Sequence, residues 1–448
     1  MLSRNKRESR VPCCAPSRYS CSGGSLAKIG MTVFDPRKGQ MGLILIAVAL
    51  TAWFGWYPGV AYASPDALTR EQLTLLTAEQ RKTLSAYQKA RRAHERKVDA
   101  YWRSVEAKRK VRRAKLSRGV AIDAGDYVAK HPPAYAGPPR PNDIYALLPK
   151  PPVVKEPPRP TIPVVKDFLR EAKAQYGFTP DTVTEDEFMI YYALEALRLG
   201  LTKDQVIRVY ALETGGVGTH DLQSGYNPKT GRAASTALGY AQLLAANSVG
   251  QIRKYGPSYA ERLERLASEP GLDAAHAGRL RRKAEIVRRM HADTLKIADA
   301  WGAHVEYGKT GRGLAMHAMN LDGDVGPWMQ VTKLKGILDF AERKGMTNLT
   351  GGQLELMNLA GPDRGFEMMQ PIARDMPTSN FFERGGYERN PVVHNRTGAE
   401  LLAKLDEIMD RNVHKPGAAQ FAVIFDALLR RIANKPRSEP VQARAGSF

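Results

Sequence analysis

Glu213 is the residue of this sequence best placed for proton chemistry. It follows the apolar positions Val206, Ile207, Val209, Tyr210 and Leu212 and precedes Thr214-Gly215-Gly216. The spacing predicts a helix over 203–212 that runs into Glu213 and stops at a glycine turn. Burial at such a helix end disfavours the charged carboxylate, and the partial negative charge of the helix C-terminus acts in the same direction. Both raise the pKa toward the value a general acid needs at neutral pH. Other carboxylates are near: Asp221 lies eight residues on, and Asp322 and Asp324 sit in N-L-D-G-D-V-G-P. The D-G-D segment lacks the Glu of a calcium loop and reads as a turn, with a second-carboxylate role as the alternative. His220, His317 and His394 have no ligand spacing, so no metal is expected. Gly215-Gly216-Val217-Gly218 has no following Lys-Ser/Thr and is not a phosphate loop, and no G-x-S-x-G occurs, so no cofactor is expected.

Three blocks occur in order around and after this carboxylate. They are Glu213-Thr214-Gly215-Gly216 with Gly225-Tyr226-Asn227-Pro228, then 235–244 (S-T-A-L-G-Y-A-Q-L-L), then Met357-Asn358-Leu359-Ala360-Gly361-Pro362. Together they resemble the E-S-x-F-N-P, A-x-G-L-M-Q-L and Y-N-A-G motifs of the lytic transglycosylases, a family similar in fold to goose-type lysozyme. The resemblance covers about residues 190–370. It implies a mainly α, lysozyme-like domain that cleaves the MurNAc-GlcNAc β-1,4 bond of peptidoglycan and leaves a 1,6-anhydro product. Glu213 matches the family's single acid/base. Thr214, Tyr226, Gly239, Tyr240, Gln242 and Asn358 match positions that line the sugar cleft. This sequence has Thr214 for Ser, Tyr240-Ala241 for Leu-Met, Met357 for Tyr and Leu359 as an added residue. The alternative is a module of the same fold that grips or anchors to peptidoglycan without cutting it.

The elements that must position these residues are helical. Patterns with a helical period cover 166–176, 185–199, 203–212, 237–254, 259–267, 274–301, 313–319, 331–344, 352–358 and 398–412, while strand-like alternation is nearly absent. The main domain is therefore set at 166–430, with a flexible tail over 431–448. The long charged stretch 274–301 is expected in a helical hairpin. The loop from Asn380 to Pro391, with Phe381, Phe382 and Tyr387, suits either a wall of a sugar cleft or a packed cover.

Ahead of that domain lie three segments. Residues 119–165 hold 12 of the 29 prolines and read as an extended, stiff linker. Residues 64–118 form a basic helical arm, in which 66–118 carries 16 basic and 6 acidic residues and neither Gly nor Pro. Leu84, Tyr87, Arg91, His94, Val98, Tyr101 and Val105 make a coiled-coil-like seam with two polar positions. Its charge suits either plain solvation or contact with an anionic membrane or wall surface. Residues 1–63 read as a signal peptide: Arg37-Lys38, the apolar run from Met41 to Trp56 and Ala61-Tyr62-Ala63 give its three parts, with cleavage after Ala63. Export to the periplasm or beyond follows, with a single N-terminal membrane anchor as the alternative. Residues 1–30 read as an upstream extension, since Met31 is the better start for such a leader.

The composition fits this division. Hydrophobic residues are 43% and charged residues 25%, enough for a large core and unlike a disordered or multi-span chain. All three Cys precede Met31, which excludes a disulfide scaffold in the rest. The net charge of +21 is concentrated in the leader and arm, because 166–448 is nearly balanced at 38 basic to 34 acidic residues. The total is thus no sign of a nucleic-acid-binding fold, and the expected partner is the peptidoglycan glycan strand.

Overall fold

A computed structural model describes residues 70–148 and 161–434. The expected signal segment, the prolines of 149–160 and the end of the tail lie outside the described residues. The helices are α1 (Arg70–Thr74), α2 (Ala78–Ser117), α3 (Asn142–Leu147), α4 (Val165–Tyr176), α5 (Glu185–Arg198), α6 (Lys203–Glu213), α7 (Ala245–Ala267) and α8 (Ala274–Thr294). They continue with α9 (Trp301–Gly308), α10 (Gly311–His317), α11 (Val325–Arg343), α12 (Gly351–Ala360), α13 (Pro362–Met369), α14 (Arg384–Arg389), α15 (Gly398–Asn412) and α16 (Pro416–Ala433). Among the described residues there is no strand, only isolated bridges such as Leu238 with Leu243. The chain is mainly α, as the periodicity implies. No described helix is long and apolar enough to cross a membrane.

Several helix starts are written in the sequence as Thr-x-x-Gln/Glu. At α5, α6, α12 and α15 the threonines Thr184, Thr202, Thr350 and Thr397 accept from the backbone N–H three residues on, and the Glu or Gln there answers. Two free N–H groups are satisfied at each end.

Two stretches differ from the expected helices. The predicted helix over 237–254 begins only at Ala245, because Gly239 (φ +79°) and Gln242 (φ +41°) take left-handed backbone that no helix continues. At its other end α7 runs on through Pro257 to Ala267, absorbing the separate helix expected at 259–267. The expected helix over 274–301 stops at Thr294.

Of the described residues, 252–298 form one compact unit and the remainder another. In the smaller unit the end of α7 and α8 make the expected hairpin, held by Leu263, Leu280, Val287 and Met290, all fully buried, and by an Arg288–Glu264 pair at 2.7 Å.

In the larger unit the basic arm and much of the linker behave as parts of the fold. The seam of α2 is covered. Leu84 packs with Leu76, Ile144 and Leu148, while Trp102 and Val105 join a core with Leu212, Leu356, Leu359 and Phe381. The segment after α2 folds back along it, so that Tyr135 stacks edge-on against Tyr87 (6.5 Å) and His94 (5.4 Å), with the Arg91 guanidinium 5.5 Å from its ring. The polar seam positions thus face an aromatic ring and not a second helix. Gly137 permits the approach, since a Cβ there would stand 2.9 Å from that of Ala90. Farther along, Arg109 pairs with Glu383 (2.7 Å) and Arg112 with Glu367 (2.7 Å), and Arg112 also donates to the carbonyls of Asp126 (3.0 Å) and Asn380 (2.9 Å). The aromatic loop at 380–391 is the packed cover of the two readings: Phe381, Phe382 and Tyr387 are buried beneath α2.

Candidate functional site

Glu213 is the last residue of α6, and the two glycines after it explain why the helix ends there. Gly215 (φ +68°) and Gly216 (φ +75°) turn the chain left-handed, and a Cβ on Gly216 would lie 2.4 Å from the Asn412 carbonyl oxygen. Asn412, at the end of α15, donates to the Ala211 carbonyl (3.0 Å), and Ala418 N–H donates to the Gly216 carbonyl (3.0 Å). The helix end is therefore clamped from outside, and Glu213 cannot swing away by fraying. Leu212 beside it belongs to the core that also holds Leu356 and Leu359 of α12. One apolar cluster thus sets the spacing of the two helices that meet at the site.

Asn358 comes from α12. Its Nδ2 donates to Glu213 Oε1 at 2.9 Å and to Glu355 Oε2 at 3.1 Å, so one amide bridges two carboxyl groups. Glu355 lies three residues earlier on the same helix face and is fully buried, and Glu213 is 9% exposed. Lys333 of α11 supplies the compensating charge through space, its Nζ donating to the Ala241 carbonyl at 3.1 Å. The remaining polar atoms, Glu213 Oε2, Glu355 Oε1 and Asn358 Oδ1, are buried with no hydrogen-bond partner in the protein. Such atoms are costly to leave unmade and are uncommon in a finished core.

The electrostatics follow from burial. Loss of solvent pushes Glu213 up to about 7, against the opposing pull of the Lys333 charge and of hydrogen bonds with Glu355 and Asn358. Burial and the charge of Glu213 raise Glu355 well above the usual carboxylate range. Burial lowers Lys333, and the two carboxylates oppose it. With Lys333 charged, the cluster is neutral only when one carboxyl keeps a proton, so the pair titrates as a unit. Asn358 presents an N–H to Glu213 Oε1, which must therefore accept, and this leaves Oε2 as the oxygen able to carry a proton.

The structure brings Glu213 and Asn358 together and gives other tasks to most of the remaining candidates. Thr214 is fully buried and returns its hydroxyl to the Tyr210 carbonyl (2.7 Å), closing the last turn of α6. Tyr240 stands in an aromatic cluster with Tyr210 (ring centroids 4.7 Å), Tyr192 (5.4 Å) and Phe421 (5.5 Å), and its hydroxyl bonds Glu185. Gln242 donates to the carbonyls of Gly239 (2.8 Å) and Leu222 (3.0 Å) and so braces its own turn. Gly239 is needed for closeness, since a Cβ would meet Gln330 Nε2 at 2.4 Å. Tyr226, at 47% exposure, projects from the turn closed by Asn227 and Arg232 (2.8 Å). Met357 is fully buried among core residues.

Asp322, His220 and His317 have structural partners, as do Asp221, bonded by the Thr219 hydroxyl, and His394, whose ring meets the Tyr387 carbonyl. Asp322 accepts from the backbone N–H groups of Asp181 (2.9 Å), Asp324 (3.1 Å) and Val325 (3.0 Å), which fixes the turn into α11. His220 meets Glu185 at 2.7 Å and stacks on Phe188. His317 is bonded to Ser248 (2.8 Å) and to the Thr236 carbonyl (2.6 Å), and burial depresses its pKa to about 4. Among the described residues no cluster of three or more His, Cys, Asp or Glu is arranged to hold a metal.

Glu355 and Lys333 are the residues that motif reasoning misses. A signal existed: Glu355 is the one charge in the apolar run Leu354-Glu355-Leu356-Met357, the same anomaly that marks Glu213. No protein-family model, curated protein or solved structure matches the chain.

Proposed function

We propose that this chain is a peptidoglycan lytic transglycosylase in which Glu213 is the single acid and base. The observation that carries the reading is a carboxyl held on a clamped helix end, buried enough to titrate at about 7, and hydrogen-bonded by the Asn358 amide. In the reaction, Glu213 Oε2 gives its proton to the oxygen linking MurNAc to GlcNAc as the C1–O bond breaks. The resulting carboxylate takes the proton of the muramyl 6-hydroxyl, whose oxygen closes on C1. Glu213 is regenerated and no water is consumed. At neutral pH a group with this pKa is present in both forms, which suits a residue that must donate and then accept. Asn358 and Lys333 stabilise the carboxylate between the two steps. The three motif blocks support this substrate class, and the basic leader with its A-x-A site supports a reaction outside the cytoplasm.

Burial of Glu213 Oε2 favours a second reading, a glycan-binding module whose acidic pair is never reached by the bond. Incubating the purified protein with sacculi separates the two. The enzyme releases 1,6-anhydro-muropeptides, and Glu213→Gln releases none. Reducing-end products would assign hydrolysis with Glu355 as the second carboxyl. Sacculus binding by a folded protein with no released product would establish the binding module.

A further inference from the structure

The arm helix α2 carries three parallel heptad lines, and the fold uses only one of them. Leu84, Val98, Val105 and Arg112 lie on the covered line. Lys82, Lys89, Arg96, Arg103 and Lys110 repeat every seventh residue on a second line, two positions and so about 200° around the helix from the first. Every seventh residue from Ala86 to Ala114 is alanine, and this third line adjoins the cations on the same outward face. All five cations are exposed. Among the described residues no carboxylate pairs with any of them.

Several other cations of the helix are engaged within the fold, while Arg92, Lys97 and Arg113 are exposed beside the row. Arg91 pairs with Glu95 (3.1 Å), Arg109 and Arg112 with Glu383 and Glu367, and Lys115 with Asp123 (2.8 Å) and Asp126 (2.6 Å). Lys108 donates to the Tyr127 carbonyl (2.7 Å). The basic cluster at 108–113 is thus divided: Lys108, Arg109 and Arg112 are engaged within the fold, and Lys110 belongs to the outward row. The free charge is a slowly winding row, with one cation about every 10 Å over roughly 42 Å and a drift of about 20° per heptad around the helix. Alanines between the cations let the helix lie close against a flat partner.

We propose that the outward face of α2 is a docking surface for an anionic lipid bilayer, with the row of five cations lying along the headgroups. Charge complementarity argues for this occupant: five cations and, among the described residues, no paired carboxylate along one outward face suit an anionic headgroup layer. The surface is separate from the Glu213 site and does not rest on the reading of that site. Because the seam and the row lie on opposite sides of one helix, docking leaves the Arg109 and Arg112 contacts intact.

The test is co-sedimentation of the full-length protein with vesicles of phosphatidylcholine and phosphatidylglycerol, at roughly three to one, against vesicles of phosphatidylcholine alone. Removing one cation near such a surface weakens binding about fivefold. Replacing Lys82, Lys89, Arg96, Arg103 and Lys110 together by Gln is expected to weaken it roughly three-thousandfold. A charge-matched control replaces Lys229, Arg232, Arg279, Arg282 and Arg343 by Gln and is expected to bind like the parent. Since the five side chains are exposed and make no hydrogen bond or ion pair among the described residues, the unfolding midpoint of the first variant should stay close to that of the parent. An equal loss in the control, or no anionic-vesicle binding by the parent at low salt, overturns the proposal. Row-dependent binding to sacculi without binding to vesicles also overturns it, and assigns the face to a wall polymer.

Discussion

Replacing Glu213 by Gln should make the protein more stable, by an amount that depends on pH. Glu213 titrates at about 7 in the fold, against 4.5 for an ordinary Glu. The sign follows from proton binding. Below 4.5 the carboxyl is neutral in both states and burial carries no charge penalty. Between 4.5 and 7 the unfolded chain ionises while the folded one keeps its proton, so stability falls as pH rises. Above the folded value the penalty is complete, and the difference between the two pKa values sets an upper bound of about 3 kcal/mol, because Glu355 and Lys333 titrate with Glu213. Gln does not titrate, and it still offers Asn358 an acceptor oxygen. Urea unfolding of parent and variant, followed by near-UV circular dichroism across pH, should show nearly equal stability at about pH 4 and a gain of up to about 3 kcal/mol for the variant at about pH 8. The same substitution abolishes the proposed cleavage, as expected where a site is held in a costly state for function. A stability difference that stays flat with pH, or a variant weaker throughout, would refute the account of Glu213 as a buried carboxyl forced to ionise.

Lys333→Met removes the charge that most opposes burial at Glu213. The Glu213 titration, read by carboxyl carbon NMR, should move above 7, and the alkaline limb of the cleavage profile should move with it. Arg112→Ala leaves Glu367 and the carbonyls of Asp126 and Asn380 without their buried partner, and equilibrium unfolding should register a loss of about 3–5 kcal/mol. His317 is held near 4 against an ordinary 6.5, so the unfolded chain gains its proton first as pH falls through that window. Acid unfolding should show about 3 kcal/mol lost across it, and a His317→Gln variant should lack that slope.

Much of the site's logic was legible in the chain. Glu213 stood out because a carboxylate interrupts an apolar helical pattern beside two glycines, and the structure returns it at a buried helix end. Asn358 was legible only through its motif, and the structure gives it a bond to Glu213. Gln242, Tyr240 and Thr214 came from the same motifs, yet their polar atoms serve turns and helix ends, because buried donors and acceptors near the chain's own backbone are satisfied there first. Glu355 escaped notice because a sequence does not say which of two distant helix faces will meet.

Local order is what the sequence by itself determined: helices from their period, their starts from Thr-x-x-Gln/Glu, and the stop after Glu213 from glycines that alone tolerate the left-handed turn. These depend on neighbours within a turn or two of the chain. Tertiary structure alone decided which charges are buried and which are free. Arg109, Arg112 and Lys110 read alike in one basic run, but two enter the core and one faces solvent. The same holds for Glu213, Glu355 and Lys333, drawn from three helices into one low-dielectric space. Their protonation depends on distances that no local pattern encodes, because desolvation and charge coupling act through space and not along the chain.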